Sequence, residues 1–375
     1  MPNLRFPEFN GEWNEKALKE IGTFFSGGTP KTTNKNYYDG SISFIRSGEI
    51  NSEKTELRIS EKGLKNSSAK MVNQGDILIA LYGATSGEIA ISKINGAINQ
   101  AILCFNTTEN KQFCKNLWQK HMNTILETYL QGGQGNLSAE IIKQLKFKFP
   151  SQSEQNKIAT FIETIEKRID CQRKIIEGLQ SFKVTVSKKI FSQELRFKDN
   201  KGENFPDWAH KILGDCLEYE QPTNYLVTST EYQDAFEVPV VTAGKTFILG
   251  YTNETTGIFN ENLPVIIFDD FTTATQFVTF PFKAKSSAMK ILKAKNNVNI
   301  RFMYESMQMI KYEVGGHGRH WISVFAEMEV LIPCFAEQNQ IATFLCLLDN
   351  KIDLETALLQ QLKLQKQYLL QQLFI

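Results

Sequence analysis

One stretch of this chain is written twice. PSQSEQNKIATFIETIEKRID begins at Pro150, and PCFAEQNQIATFLCLLDNKID begins at Pro333, 183 residues later. The match runs on as a helical pattern, with KVTVSKKIF (183–191) opposite KQYLLQQLF (366–374). A repeat of this length duplicates architecture rather than a short motif. The chain therefore reads as a globular half (1–150), a long helix (151–194), a second globular half (195–332) and a second long helix (333–375).

Each helix carries one apolar seam. The first runs Ile158, Ile162, Ile165, Ile169, Gln172, Ile176, Leu179, Lys183, Val186, Ile190. The second runs Ile341, Leu345, Leu348, Ile352, Glu355, Leu359, Leu362, Lys366, Leu369, Leu373. Steps of four and three alternate, which is coiled-coil spacing. Polar interruptions fall at matched places, Gln172 with Glu355 and Lys183 with Lys366, where they fix register at some cost in stability. Helices related by duplication pair antiparallel when their pseudo-twofold axis is perpendicular to them. The alternative is two amphipathic helices packed on separate cores. Ser151 and Glu154 predict a capping box at the first helix start. Cys334 replaces the serine in the second copy while Glu337 remains, so half of that cap is expected to be lost. From Ser153 to Ile190 the helix spans roughly 57 Å at about 1.5 Å per residue.

The halves resemble each other more faintly. GDILIALYGATSG (75–87) and LPVIIFDDFTTAT (263–275) both read as a buried strand entering a Gly/Thr/Ser or Asp/Thr loop. AINQAIL (97–103) stands opposite KSSAMKIL (285–292), and GGQGNLS (132–138) opposite GGHGRHWIS (315–323). SISFIRS (41–47) and EVPVVTA (237–243) add strands, and helical pattern is confined to 113–130 and 299–310. The expected fold is α+β: two globular domains, each a mixed sheet with loops, alternating with two long helices that pair as an antiparallel coiled coil in an internal pseudo-twofold repeat.

Composition excludes several classes. The net charge is +1, and residues 199–332 hold 11 basic against 17 acidic side chains, unlike a general polyanion binder. Nucleic-acid contact would need local patches, such as Lys62, Lys65 and Lys70, or Lys283, Lys285, Lys290, Lys293 and Lys295. No apolar run approaches the ~20 residues that cross a bilayer. No apolar segment of a secretory signal follows Met1, and the six cysteines show no C-x-x-C. The expectation is a cytoplasmic protein with reduced, mostly buried thiols and no membrane partner.

Catalytic patterns are mostly missing. VTAGKTF (241–247) resembles the end of a phosphate loop, but the required earlier glycine is Pro239. Neither glycine turn has dinucleotide-site spacing. His317 and His320 lack a third metal ligand, so no metal is expected. There is no N/D-P-P-Y/F string of an amine methyltransferase. Asp269 and Asp270 form an acidic pair at a strand end without a D/E-x-K partner, which favours structural roles. No catalytic residue is assigned. A metal-dependent nuclease on that pair and a two-headed scaffold for non-DNA ligands remain open alternatives.

The loops are stocked with side chains that read base edges, each good pair discriminating by about 1–3 kcal/mol. In the first half these are Thr29 and Lys31 of GGTPKTTNKNYY, Arg46 and Ser47 of FIRSGEIN, Tyr82, Thr85 and Ser86 of LYGATSG, and Gln134 and Asn136 of the glycine turn. In the second they are Lys245, Thr246 and Tyr251 of TAGKTFILGYTNETTG, Asp270, Thr272 and Thr273 of DDFTTA, Lys285 and Ser286, and His317, Arg319 and His320 of GGHGRH. The bland alternative is that Gly/Thr/Ser loops are simply turns.

The doubled EQNKIATFI/EQNQIATFL helix start, LLQQLFI, GGTPKTTNKNYYDGSISFIRSGEIN, TAGKTFILGYTNETTGIF with PVIIFDDFTTATQF and FPFKAKSSAMKIL, and the lead-ins LRFPEFNGEW and LRFKDNKGENFPDW make the chain similar, over nearly its whole length, to the DNA specificity subunits of type I restriction–modification systems. That resemblance implies two target recognition domains, each reading half of a split double-stranded DNA site, with the paired helices as a ruler. It implies docking of two methyltransferase subunits, with restriction–translocase subunits further out. No cofactor is implied on this chain; S-adenosylmethionine, ATP and Mg belong to the partners. Because the halves differ, the implied site is asymmetric.

Overall fold

A computed structural model describes residues 1–129, 137–244, 246–312 and 320–375. The chain divides into two units, Met1–Lys174 with Ala357–Ile375, and Ile175–Thr356. The first half of each long helix therefore lies in the same unit as the last half of the other.

In the first unit an antiparallel sheet runs in the order Gly22–Ser26, Ile102–Thr107, Ile77–Ala80, Ile89–Ile91. A mixed sheet runs Leu57–Ile59, Tyr38–Ile45, Gly96–Ile98, Lys70–Val72, parallel where Phe44 and Ile45 face Ala97 and Ile98. Asn14–Ala17 pairs with Lys146–Phe149, whose alternation of exposed lysine and buried phenylalanine is that of a half-buried strand. All residues of Ile77–Ala80 are buried, as an uninterrupted apolar run requires. The second unit repeats the plan. Its antiparallel sheet is Leu217–Glu220, Met289–Ala294, Val265–Asp269, Thr275–Val278. Its mixed sheet is Ile248–Thr252, Val238–Val241, Lys283–Ala284, again with one parallel pairing. Ala209–Ile212 pairs with Glu329–Ile332. The helices Lys111–Tyr129 and Ile300–Met309 occupy matching places in the order.

The long helices are Gln152–Phe191 and Phe335–Leu373, of 40 and 39 residues. Every seam residue is buried or half-buried. In the first unit Ile158 and Ile162 share a core with Leu370, Leu373 and Phe374. In the second Val186 and Ile190 share one with Ile341 and Leu345. Ile169, Ile176 and Leu362 are buried, and Ile165, Leu179, Leu348, Ile352 and Leu359 are half-buried. The pairing is antiparallel: in the second unit Lys183 meets Asp349 at 2.7 Å, while further along Arg196 meets Glu337, also at 2.7 Å. The matched pair in the first unit is Lys366 with Glu166 at 2.6 Å. Both seam lysines thus reach a carboxylate on the opposite helix, at places related by the repeat.

The capping box is only half formed. Ser151 Oγ accepts from the Glu154 amide at 3.4 Å, but the Glu154 side chain does not return to the cap. It turns into the core, 1% exposed, and accepts from Arg5 at 2.7 Å and from Trp13 Nε1 at 3.3 Å. Glu337 repeats this with Arg196 at 2.7 Å and Trp208 Nε1 at 3.1 Å. A buried carboxylate needs charged and hydrogen-bonding partners, and the similar lead-ins supply them. The next residues continue the knot. Gln155 accepts from the Asn110 amide and donates to Pro150 O; Gln338 does the same with Asn299 and Pro333. Asn110 and Asn299 cap the helices that follow them, and each donates its amide to Asn156 or Asn339. The repeated EQN is therefore a fastener joining lead-in, inner helix and long helix.

Candidate nucleic-acid interface

Loops at one end of the sheets converge in each unit. In the first, Gly28 N donates to Ile98 O at 3.2 Å, Leu81 N to Ala101 O at 2.8 Å, and Leu137 N to Leu81 O at 3.0 Å. Gly27 is required there: a Cβ would lie 1.8 Å from Ile98 O. In the second unit, Lys285 N donates to Val241 O, Asp270 N to Ala288 O and His320 N to Asp270 O, each at 3.0 Å. The last two ties in each unit are equivalent, and the counterparts of the first ones are also present, Val227 N to Ala284 O at 2.9 Å for Gly28 and Asn99 N to Ile45 O at 3.4 Å for Lys285, so the same backbone ties gather the loops of both units.

On this frame Thr29, Lys31 and Tyr82 are exposed, and Thr85 and Ser86 half-buried. Thr29 Oγ1 donates to Gln100 Oε1 at 2.6 Å, and Ser86 Oγ to Leu81 O at 3.0 Å. Arg46 is already engaged by Glu49 and Glu56, whose hydrogen bonds raise its pKa, and Ser47 opens the short turn after it. In the second unit Thr246, Thr272 and Ser286 are exposed, and Tyr251 and Thr273 half-buried. Lys285 donates to Tyr232 OH at 3.0 Å. Gln134, Asn136, Lys245, His317 and Arg319 lie outside the described residues. Gln100 and Tyr232 were missed by sequence reasoning. They orient Thr29 and Lys285 from distant positions, and only the Asn-Gln turn at 99–100 signals either of them.

Some candidates are interior. Asp270 is 1% exposed and pairs with Lys290 at 3.2 Å; His320 is buried and its Nδ1 meets Tyr312 OH at 3.2 Å. Asp269 Oδ1 accepts from the Phe271 and Thr272 amides at 2.8 Å. Asp269 therefore works within the loop, while Asp270 ties the loop to Lys290 and to the Trp321 amide. Among the lysines proposed as patches, Lys62, Lys65 and Lys70 are exposed, but Lys283 and Lys290 are buried in ion pairs. Among the described residues no group of three or more His, Cys, Asp or Glu side chains is placed to hold a metal. Among the described residues no helix is long and apolar enough to cross a membrane. Burial pushes the Cys104 and Cys114 thiols up to about 12, which makes them inert.

Lys283 also anchors Glu254. Burial raises that carboxyl, but Lys283 and the Thr228 and Ser229 donors outweigh it and hold it at about 2, against an ordinary 4.5. A depressed carboxyl stabilises the fold above its unfolded value and loses that contribution as pH falls through its folded value. The second unit should therefore lose stability between about pH 4.5 and 2. In Glu254→Gln this acid-dependent loss should shrink, measured as the urea midpoint against pH; an unchanged profile contradicts the assignment.

The family model for "Type I restriction modification DNA specificity domain" matches residues 10–181 and 206–364. This chain belongs to that family. Among its relatives, the specificity subunit of the EcoR124I/EcoR124II type I restriction enzyme of Escherichia coli is 50% identical over 127 residues, 32% of this chain and 31% of the relative. The MjaIX specificity subunit of Methanocaldococcus jannaschii is 26% identical over 269 residues, 67% of this chain and 61% of the relative. The chain thus spans less than two thirds of the length of either. The crystal structure of a type I restriction–modification S subunit from M. genitalium shares the fold with a TM-score of 0.67 at 16% identity, covering 100% of this chain and 99% of that one. A chain from a study of complex assembly and conformational transition in the type I system gives 0.57 at 12% identity, covering 98% of each. The two matched stretches of this specificity-family chain correspond to the two copies of the repeated plan.

Proposed function

We propose that this chain is the non-catalytic, cytoplasmic reading subunit of a type I restriction–modification complex, binding an asymmetric split site in double-stranded DNA. Residues 1–150 and 195–332 each read one half-site. Residues 151–194 and 333–375 set the spacer and dock two methyltransferase subunits, through which restriction–translocase subunits attach. S-adenosylmethionine, ATP and Mg act on those partners. The observation that carries this reading is one scaffold built twice with different side chains on the converging loops. Thr29, Lys31, Tyr82, Thr246, Thr272 and Ser286 are the exposed readers. Gln134, Asn136, Lys245, His317 and Arg319 are proposed readers outside the described residues. Asp270 and His320 support the loops from beneath. Large apolar side chains off the seam, Phe182 at 50% exposure on the first helix and Leu347 and Leu354 at 62% and 68% on the second, give the helices a docking surface.

The test is base-resolved sequencing of modified DNA from cells carrying this chain with intact partners. A split motif methylated on adenine should vanish when the chain is deleted. Unchanged methylation after deletion would overturn the proposal.

A further inference from the structure

The repeated plan allows residue-by-residue comparison of the two units beneath the reading loops. Strand registers equate Ile79 with Phe268 and Leu103 with Lys290, since each is paired with the other at the same place in the central pair. The backbone ties equate Leu81 with Asp270 and Leu137 with His320. The first unit thus has three leucines at these places, 2%, 1% and 0% exposed, in one apolar cluster. The second has an aspartate, a lysine and a histidine, 1%, 0% and 5% exposed. A leucine core has been exchanged for a buried charged one.

That exchange is not what stability selects. Replacing buried ion pairs by apolar residues of similar volume is often neutral or stabilising. The polar trio has a geometric consequence that leucines lack. Asp270 Oδ1 accepts from the Trp321 amide at 2.8 Å, its carbonyl accepts from the His320 amide at 3.0 Å, and its Oδ2 faces Lys290 Nζ at 3.2 Å. Lys290 lies 5.4 Å from the Tyr219 ring centre, and His320 meets Tyr312 OH. In the first unit the same join is a backbone tie over side chains that carry no polar atom. Asp270 therefore fixes, with directional bonds to the His320 and Trp321 amides, where the strand-end loop 269–274 meets the segment starting at 320, and Lys290 Nζ faces its Oδ2 as a neutralising charge without a hydrogen bond.

Building on the proposed reading function, we propose that Asp270, Lys290 and His320 are positioning residues that set base discrimination at the half-site read by the second unit, without touching DNA. The test grafts the first unit's solution onto the second: Asp270→Leu, Lys290→Leu and His320→Leu together, in the full chain assembled with its methyltransferase partners. Urea denaturation and base-resolved methylation of a randomised target library are both measured. The expected result is an unfolding midpoint unchanged or raised, with discrimination reduced about tenfold at one or more bases of a single half-site. The profile at the other half-site stays as in the parent. Asp270→Asn keeps the acceptor for Trp321 but removes the charge facing Lys290. It should relax the same bases by less, and it decides the matter if the triple variant does not fold. A purely structural role would move the midpoint and leave the profile alone; parental profiles in the folded variants overturn the proposal. If the parent complex itself methylates no split motif, the reading function has failed, and the trio's part in it fails too.

Discussion

Glu154→Ala should cost the first unit about 3–5 kcal/mol, and Glu337→Ala should do the same to the second. Each removes the carboxylate on which an arginine and an indole N–H converge, Arg5 with Trp13 or Arg196 with Trp208. Losing one partner of a buried pair costs far more than the pair contributes net, because the other charge is left without compensation. Against a typical 5–15 kcal/mol, either variant is close to unfolding. Urea denaturation followed by tryptophan fluorescence is well suited, since Trp13 and Trp208 sit at the lesion. The glutamine variants, which keep an acceptor for the indole, should lose less. A loss below about 1 kcal/mol for alanine would make these ordinary solvent-exposed ion pairs and refute the fastener.

The second large effect concerns length. Seven residues inserted in each helix, at repeat-related places within 165–180 and 348–363, preserve the seam and the antiparallel register. They add about 10.5 Å at 1.5 Å per residue. In the proposed function the preferred spacer should grow by about three base pairs at 3.4 Å each, with the bases of both half-sites unchanged. Three base pairs also turn DNA by about 100°, whereas a heptad turns the helix face by only about 20°. Methylation at the longer spacer should therefore be weaker than the parent's at its own. Methylation sequencing reads both outcomes, and altered half-site bases would refute the spacer role.

The helices were legible because their signal is long and periodic. A seam sustained over ten positions leaves little ambiguity, and matched lysines at 183 and 366 marked the register before their partners were known. Strands such as Ile77–Ala80 and Val265–Asp269 were legible as short apolar runs between glycines or prolines. The partners themselves were not. Glu154 reads as a cap because its spacing from Ser151 is right, yet Arg5 and Trp13, distant in sequence, draw it inward. Residue type also misleads about exposure. Lys283, Lys290, Asp270 and His320 look like surface chemistry, but their neutralising contacts come from other strands and loops. Arg46 looks like a guanine reader, while two glutamates a few residues away already occupy it. Charge shows what a side chain can bind, and only the fold shows what it has bound.

The first unit is discontinuous in sequence: Leu370, Leu373 and Phe374 fill its core, and Leu4 N donates to Gln372 O. This makes the order of synthesis matter. The residues up to Lys174 leave the ribosome long before the closing segment from Ala357, and about 180 residues at roughly 5–20 per second is a delay of about 10–40 s. Throughout that interval the first unit waits with part of its apolar interior uncovered. A chain broken before Leu370 lacks Leu370, Leu373 and Phe374 and so leaves that apolar interior uncovered.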